Sequence, residues 1–101
     1  KIVPDPNKYG WSPEQLWKDL YELERCENLT IDGLMTILPL NFSDSESLYA
    51  FQKVQELAQD ITEKSSLFLK NLSMGMSNDY LLAIQKKTTM IRLGKAIFEE
   101  R

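Results

Sequence analysis

The side chains that most often carry catalysis or bind metals are scarce in this chain of 101 residues. It contains no histidine, the commonest general base and metal ligand, and a single cysteine, Cys26. Asp19, Glu22 and Glu24 could act as paired carboxylates, but basic residues are interleaved with them on one predicted helix, which favours a solvated face. We therefore predict a protein that is not an enzyme and that has no metal site, no cofactor and no small-molecule substrate.

The C-terminal part of the chain carries a group of basic side chains. Residues 77–101 contain five basic and three acidic residues, whereas the whole chain has a net charge of −3. The basic group consists of Lys86, Lys87, Arg92 and Lys95. Because adjacent cations and hydroxyls often contact phosphates, these residues are candidates for contacts with phosphate or an acidic partner. Nucleic-acid binding through a basic C-terminal helix is therefore one hypothesis, although an acidic chain argues against non-specific binding.

Aromatic and surplus apolar residues indicate a surface for another protein. Trp17 and Tyr21 are offset from the core-facing side of their predicted helix, and both belong to types enriched at binding hot spots. The predicted partner-binding residues are Trp17, Tyr21, Leu82, Met90, Leu93 and Ile97. The favoured hypothesis is a non-enzymatic protein-protein interaction module that binds a partner peptide or helix through this apolar surface. A subunit that completes a helical bundle in a stable complex is a further alternative.

The first predicted helix has a complete start signal. Ser12 is placed to cap it, Pro13 to occupy its first position, and Gln15 to close a capping box. The preceding residues 1–10 contain two prolines and a glycine, which predicts an extended lead-in. The helix is expected to end near Glu27.

A second, short helix is predicted after Thr30. Ile31, Leu34, Met35 and Leu38 have the i, i+3, i+4, i+7 spacing of one helix face, and the proline that follows them ends the pattern.

The longest stretch without glycine or proline, residues 43–74, predicts a central helix. A Ser-x-x-Glu capping box opens it, and its apolar residues recur mostly at three- and four-residue steps. Thr62, Ser65 and Ser66 interrupt the apolar stripe with side chains that compete for backbone hydrogen bonds, so we expect a bend or break there.

A last helix, starting at Ser77, completes the predicted fold. The fold class is all-α: a compact four- or five-helix bundle organised around the long central helix, with residues 11–101 as a single helical domain. No apolar run has the length needed to span a bilayer, so no membrane partner is expected. A lone cysteine favours a reducing compartment, so the predicted location is intracellular, in the nucleus or cytoplasm.

Two short motifs resemble the opening of a sterile alpha motif domain. They are Trp11-Ser-Pro-Glu-Gln-Leu-Trp17 and Ile31-Asp-Gly-Leu-Met35. The resemblance implies a five-helix protein interaction module and covers about a quarter of the chain. The two motifs stand closer together than in that family, and its later Leu-Gly-Ile and Gly-His-Arg signals are missing here, so the chain is not assigned to it.

Overall fold

Helices alternate with parallel strands in the computed structural model, which describes residues 1–3 and 10–93. The elements in chain order are α1 (Pro13–Glu24), β1 (Gly33–Thr36), α2 (Asp44–Lys64), β2 (Asn71–Met74) and α3 (Tyr80–Gln85). The fold is therefore α/β, and the predicted all-α bundle of four or five helices is wrong.

The start of α1 confirms the predicted capping box. The Gln15 amide donates to Ser12 Oγ at 3.3 Å, and Gln15 Oε1 accepts from the Ser12 amide at 3.4 Å. These two bonds satisfy backbone donors that the first turn of a helix leaves unpaired. Leu16 and Leu20 are buried, so this side of α1 packs on the core.

The predicted second helix is in fact strand β1. A short apolar run fits a buried parallel strand as well as a helix, and periodicity alone does not separate the two. The surroundings of Gly33 explain why this segment is a strand, because a Cβ atom built on it would clash with the backbone oxygen of Asn71 in β2. Only glycine permits this close approach of two backbones.

The predicted break in the central helix is confirmed. Helix α2 ends at Lys64, and Ser65 Oγ donates to the carbonyl of Ile61 at 2.7 Å, as expected of a serine that competes for backbone bonds. The chain beyond the break forms β2 instead of continuing as a helix. No helix in the described part of the chain, α2 included, is long and apolar enough to cross a bilayer.

The sheet pairs β1 with β2 in parallel, with Leu34 opposite Leu72 and Thr36 opposite Met74. A third extended segment joins it, because Met90 forms a parallel bridge with Ser73. The core lies between this sheet and the helices. Its largest fully buried side chains are Phe51, Ile61 and Met74.

The face of the sheet that points away from the core is open in the described part of the chain. Successive strand residues point to opposite faces, so Met35, Ser73 and Met90 share the face turned away from the buried Met74. Met35 is 64% exposed and Met90 is 50% exposed. Parallel sheets are normally covered on both faces, so the described residues do not include the layer that usually covers this face.

The predicted last helix is shorter than expected. Helix α3 covers six residues, and Lys87 then turns the chain with a φ of 62°, in the left-handed region. Residues 94–101, which complete the predicted helical domain, fall outside the described residues. The predicted lead-in also falls mostly outside them, although Ile2 and Val3 pack against the core.

Replacing Gly33 with alanine tests the close approach of β1 to β2. We expect Gly33→Ala to lower the free energy of unfolding by about 1–3 kcal/mol, since the new Cβ would force two paired backbones apart. Urea denaturation measures this change. Met35→Ala, at an exposed position of the same strand, is the control and should cost less than about 1 kcal/mol. Equal effects of the two substitutions would contradict the tight pairing.

A side-chain contact between α1 and the segment after α2 predicts a pH effect. The Ser66 hydroxyl donates to Glu24 Oε2 at 2.7 Å and its amide donates at 3.1 Å, and these bonds lower the pKa of Glu24 from its ordinary value of 4.5. A folded-state pKa below the unfolded one gives stability that is present above the unfolded pKa and lost as pH falls through the folded pKa. Ser66→Ala should therefore raise the pKa of Glu24, measured by NMR titration of its carboxyl group. The exposed Ser45→Ala should leave it unchanged, and an unaltered pKa in Ser66→Ala would refute the contact.

Candidate functional site

The carboxyl ends of the parallel strands form one edge of the sheet. β1 ends at Thr36, β2 ends at Met74, and the third segment passes Met90 and reaches Arg92 close to the same edge. In α/β folds with parallel strands, ligands bind beyond this edge, in the segments that leave the strands. The structure therefore points to the segments after β1 and β2, together with Arg92.

The turn after β2, residues 75–79, has a shape defined by its two end residues. Gly75 has a φ of 100°, and a Cβ built on it would lie 2.8 Å from Ala83 Cβ, so any side chain here would collide with α3. Asp79 closes the turn, because its Oδ1 accepts from the Met76 amide at 2.8 Å. The Tyr80 amide then donates to the Met76 carbonyl at 2.9 Å and leads into α3. A turn held in this way keeps its backbone groups in place at the edge of the sheet.

Arg92 joins the ends of both strands. Its amide donates to the Gly75 carbonyl at 2.9 Å, and its Nη2 donates to the Thr36 carbonyl at 2.8 Å. Arg92 Nε is buried and has no hydrogen-bond partner among the described residues. Leaving a buried donor unpaired costs about 1–3 kcal/mol, so an acceptor supplied by a ligand would relieve a real penalty at this position.

Threonines hold the third segment against β2 and so place Arg92. The Leu72 amide donates to Thr89 Oγ1 at 2.7 Å, and Thr88 Oγ1 donates to the Leu72 carbonyl at 2.8 Å. The Met74 amide also donates to the Met90 carbonyl at 3.1 Å. These bonds secure the backbone immediately before Arg92, which limits where its guanidinium can lie.

The predicted basic group is divided by the structure. Lys86 and Lys87 follow the C-terminal end of α3, before the third segment begins, so they lie toward the amino-terminal edge of the sheet. Arg92 lies near the carboxyl edge, and Lys95 is outside the described residues. The described members therefore do not form one basic surface, and no continuous basic C-terminal helix carries them.

The predicted partner-binding residues are also separated. Trp17 and Tyr21 lie on the exposed side of α1, where the Arg25 guanidinium stacks 5.3 Å from the centroid of the Tyr21 ring. Leu82 is half-buried in α3. Met90 lies on the open face of the sheet. Leu93, which follows it in the chain, is half-buried, and Ile97 is outside the described residues.

The carboxyl-edge residues that the sequence analysis missed are Thr36, Gly75 and Asp79. A usable signal was present, because residues 71–74 alternate polar and apolar side chains directly before Gly75, and such an alternation bounded by a turn residue also fits a strand. The sequence analysis instead placed residues 71–74 in the central helix predicted over residues 43–74. Among the described residues, no group of three or more His, Cys, Asp or Glu side chains could hold a metal ion.

Comparison with known proteins identifies the family. The family model described as "Alanine racemase, N-terminal domain" matches residues 1–101. The chain is 50% identical over 101 residues to the pyridoxal phosphate homeostasis protein of Synechocystis sp., covering 100% of this chain and 46% of that relative. It is 41% identical over 98 residues to the protein of the same name from Vibrio cholerae, covering 96% of this chain and 41% of the relative.

Solved structures agree with this assignment. PipY of Synechococcus elongatus without PLP (pyridoxal phosphate) superposes with a TM-score of 0.92 and 38% identity, covering 97% of this chain and 46% of PipY. The PLP-bound form of PipY gives a TM-score of 0.90 and 35% identity, covering 97% of this chain and 45% of PipY. This chain spans less than half the length of each of these relatives.

These findings correct the functional hypotheses. A protein-protein interaction module is wrong as the leading function, because the relatives are PLP homeostasis proteins. The prediction that no small molecule is a partner is contradicted by the PLP-bound relative, and the sterile alpha motif resemblance was accidental. The relatives are consistent with the cytoplasmic part of the predicted location and give no support to the nucleus. The chain belongs to the alanine racemase N-terminal domain family.

Proposed function

We propose that this chain forms part of a protein that binds PLP and acts in PLP homeostasis, and that the carboxyl edge of its sheet contributes to the PLP site. The observation that carries the proposal is the buried Nε donor of Arg92 at this edge, which has no partner within residues 1–3 and 10–93. The proposal is supported by the relatives' shared name and by the PLP-bound state of PipY.

The chemistry of the edge fits PLP. When bound, PLP supplies an aldehyde that condenses with amines and an electron-withdrawing pyridine ring. Arg92 offers Nε–H to an acceptor, and arginine is a recognised partner of the ring nitrogen in PLP proteins. We place the PLP phosphate beside the turn 75–79 and assign it no particular amide, because the Met76 and Asp79 amides are already used in the turn's own hydrogen bonds. Its tight conformation around Gly75 keeps side chains out of the space next to α3.

Arg92 also affects the protonation state of an acceptor that lies opposite its Nε. Its guanidinium does not deprotonate in proteins, so an acceptor opposite Nε receives a hydrogen bond and no proton. A ring nitrogen in that position would remain unprotonated and would withdraw electrons more weakly. This arrangement disfavours reactions that need a protonated ring nitrogen, and we retain, as a proposal, the prediction that the protein is not an enzyme.

The residues that would hold PLP covalently are not assigned to this chain. Covalent attachment of PLP uses a lysine amine. Lys86 and Lys87 lie toward the other edge of the sheet, away from Arg92. We propose that the longer polypeptide typical of the relatives supplies the attachment lysine and also covers the open face that carries Met35 and Met90.

Substitution of Arg92 in the full-length protein tests the proposal. We expect Arg92→Met to weaken PLP binding at least about tenfold, because a hydrogen bond from a charged donor contributes about 1.5–3 kcal/mol. Calorimetric titration with PLP measures the affinity, and circular dichroism checks the fold. Arg25→Met removes an exposed guanidinium from the C-cap of α1 and should leave PLP affinity unchanged.

A second variant keeps this test decisive if Arg92→Met unfolds. Arg92→Lys retains the cation and a donor for the Thr36 carbonyl but lacks the Nε–H, so it should fold and still bind PLP more weakly than the wild type. Wild-type affinity in a folded Arg92 variant would overturn the role of this edge.

The non-enzymatic part of the proposal has its own test. The PLP-loaded full-length protein is incubated with L-alanine in deuterated water, and loss of the α-proton signal is followed by NMR. We expect no faster exchange than with the same concentration of free PLP, because Arg92 leaves the ring a weak electron acceptor. Exchange clearly above the free-PLP control would show that the protein catalyses proton abstraction.

A further inference from the structure

Two basic segments lie side by side at the amino-terminal edge of the sheet, the edge opposite to the proposed PLP contacts. Lys70 directly precedes β2, and Lys86 and Lys87 lie between α3 and the third extended segment. The two segments are parallel, because Ser73 forms a parallel bridge with Met90. The same register, continued toward the amino ends, places Lys70 opposite Lys87. We call Lys70, Lys86 and Lys87 the amino-edge lysines.

The positive charges of the amino-edge lysines are not neutralised by ion pairs. Within residues 1–3 and 10–93, the one salt bridge joins Arg25 to Glu22 at the end of α1. The acidic residues Glu24, Glu27 and Asp32 belong to the end of α1 and the segment before β1. Strand β2 separates the segment before β1 from the segment before Met90, so the side of this edge that carries the amino-edge lysines is basic.

The backbone of Lys87 provides an independent observation. Its φ is 62°, and among the residues that the structure describes it is the one non-glycine residue with a positive φ. Glycine adopts this left-handed conformation without a steric penalty, whereas lysine does not. Residues held in such conformations cluster at ligand sites. An exposed lysine is therefore kept at a turn where glycine would be the less strained residue.

An exposed aromatic ring lies next to Lys70. Phe68 is 66% exposed, although phenylalanine is usually buried. The Lys70 amide donates to the Phe68 carbonyl at 3.1 Å, which keeps the two residues within one tight turn. Leu69 between them is buried, so Phe68 and Lys70 both project outward. An exposed ring beside a cation suits a ligand that combines a planar ring with an anionic group.

We propose that this surface binds a nucleoside triphosphate. The phosphate groups lie among the amino-edge lysines, since lysine binds phosphate as a point charge, and the base stacks on Phe68. A strand of four residues spans roughly 13 Å, so the amino edge and the carboxyl edge do not share a site. Nucleotide binding is therefore additional to PLP binding and does not depend on it.

Calorimetric titration of the full-length protein with ATP tests the proposal. The buffer contains no divalent metal ions, because a bound metal ion would neutralise part of the phosphate charge. AMP carries the same base and a single phosphate, and we expect it to bind about tenfold more weakly than ATP. Inorganic triphosphate lacks the base and should bind about fivefold more weakly than ATP, because it cannot stack.

Variants locate the phosphate groups and the base. Lys87→Gly removes a cation and relieves the strained backbone, so it should weaken ATP binding about three- to fivefold without lowering the midpoint of thermal unfolding. Lys18→Gln removes an exposed cation from α1 and should change nothing. Phe68→Leu keeps an apolar side chain but cannot stack, so it should weaken binding of ATP and leave binding of inorganic triphosphate unchanged.

The outcomes separate this proposal from the PLP proposal. ATP is titrated into the protein with and without PLP, and PLP occupancy is followed by absorbance, so a failure to bind PLP would leave the ATP titration interpretable. Absence of ATP binding to the folded protein, or equal affinity for ATP and AMP, would overturn the site. Equal effects of Lys18→Gln and Lys87→Gly, or loss of ATP binding when PLP is bound, would also overturn it.

Discussion

The backbone pairing of β1 with β2 is the interaction on which the described structure depends. It joins residues 33–36 to residues 71–74, which the whole of α2 separates in the chain. Parallel strands need such a crossover, and α2 packs back on the sheet with Phe51 and Ile61 fully buried. The absent side chain of Gly33 lets the two strands approach, so one glycine supports both the sheet and the core behind it.

The candidate site follows from this pairing. Because the strands are parallel, their carboxyl ends bring Thr36 and Gly75 to one edge, where Arg92 bonds to both. A single arginine thus connects three segments that are distant in sequence. Its buried Nε has no hydrogen-bond partner in the part of the chain that the structure describes, which is the feature that links the architecture to ligand binding.

The sequence by itself determined the features that depend on nearby residues. The capping boxes at Ser12 and Ser43 and the break at Ser65 were predicted correctly, because each rests on hydrogen bonds between residues three or four positions apart. Only the tertiary structure decided that residues 33–36 and 71–74 are strands, because a segment of four residues acquires its conformation from a partner strand far along the chain. The site could not be predicted from the sequence for the same reason, since Thr36, Gly75 and Arg92 become neighbours only when that sheet forms.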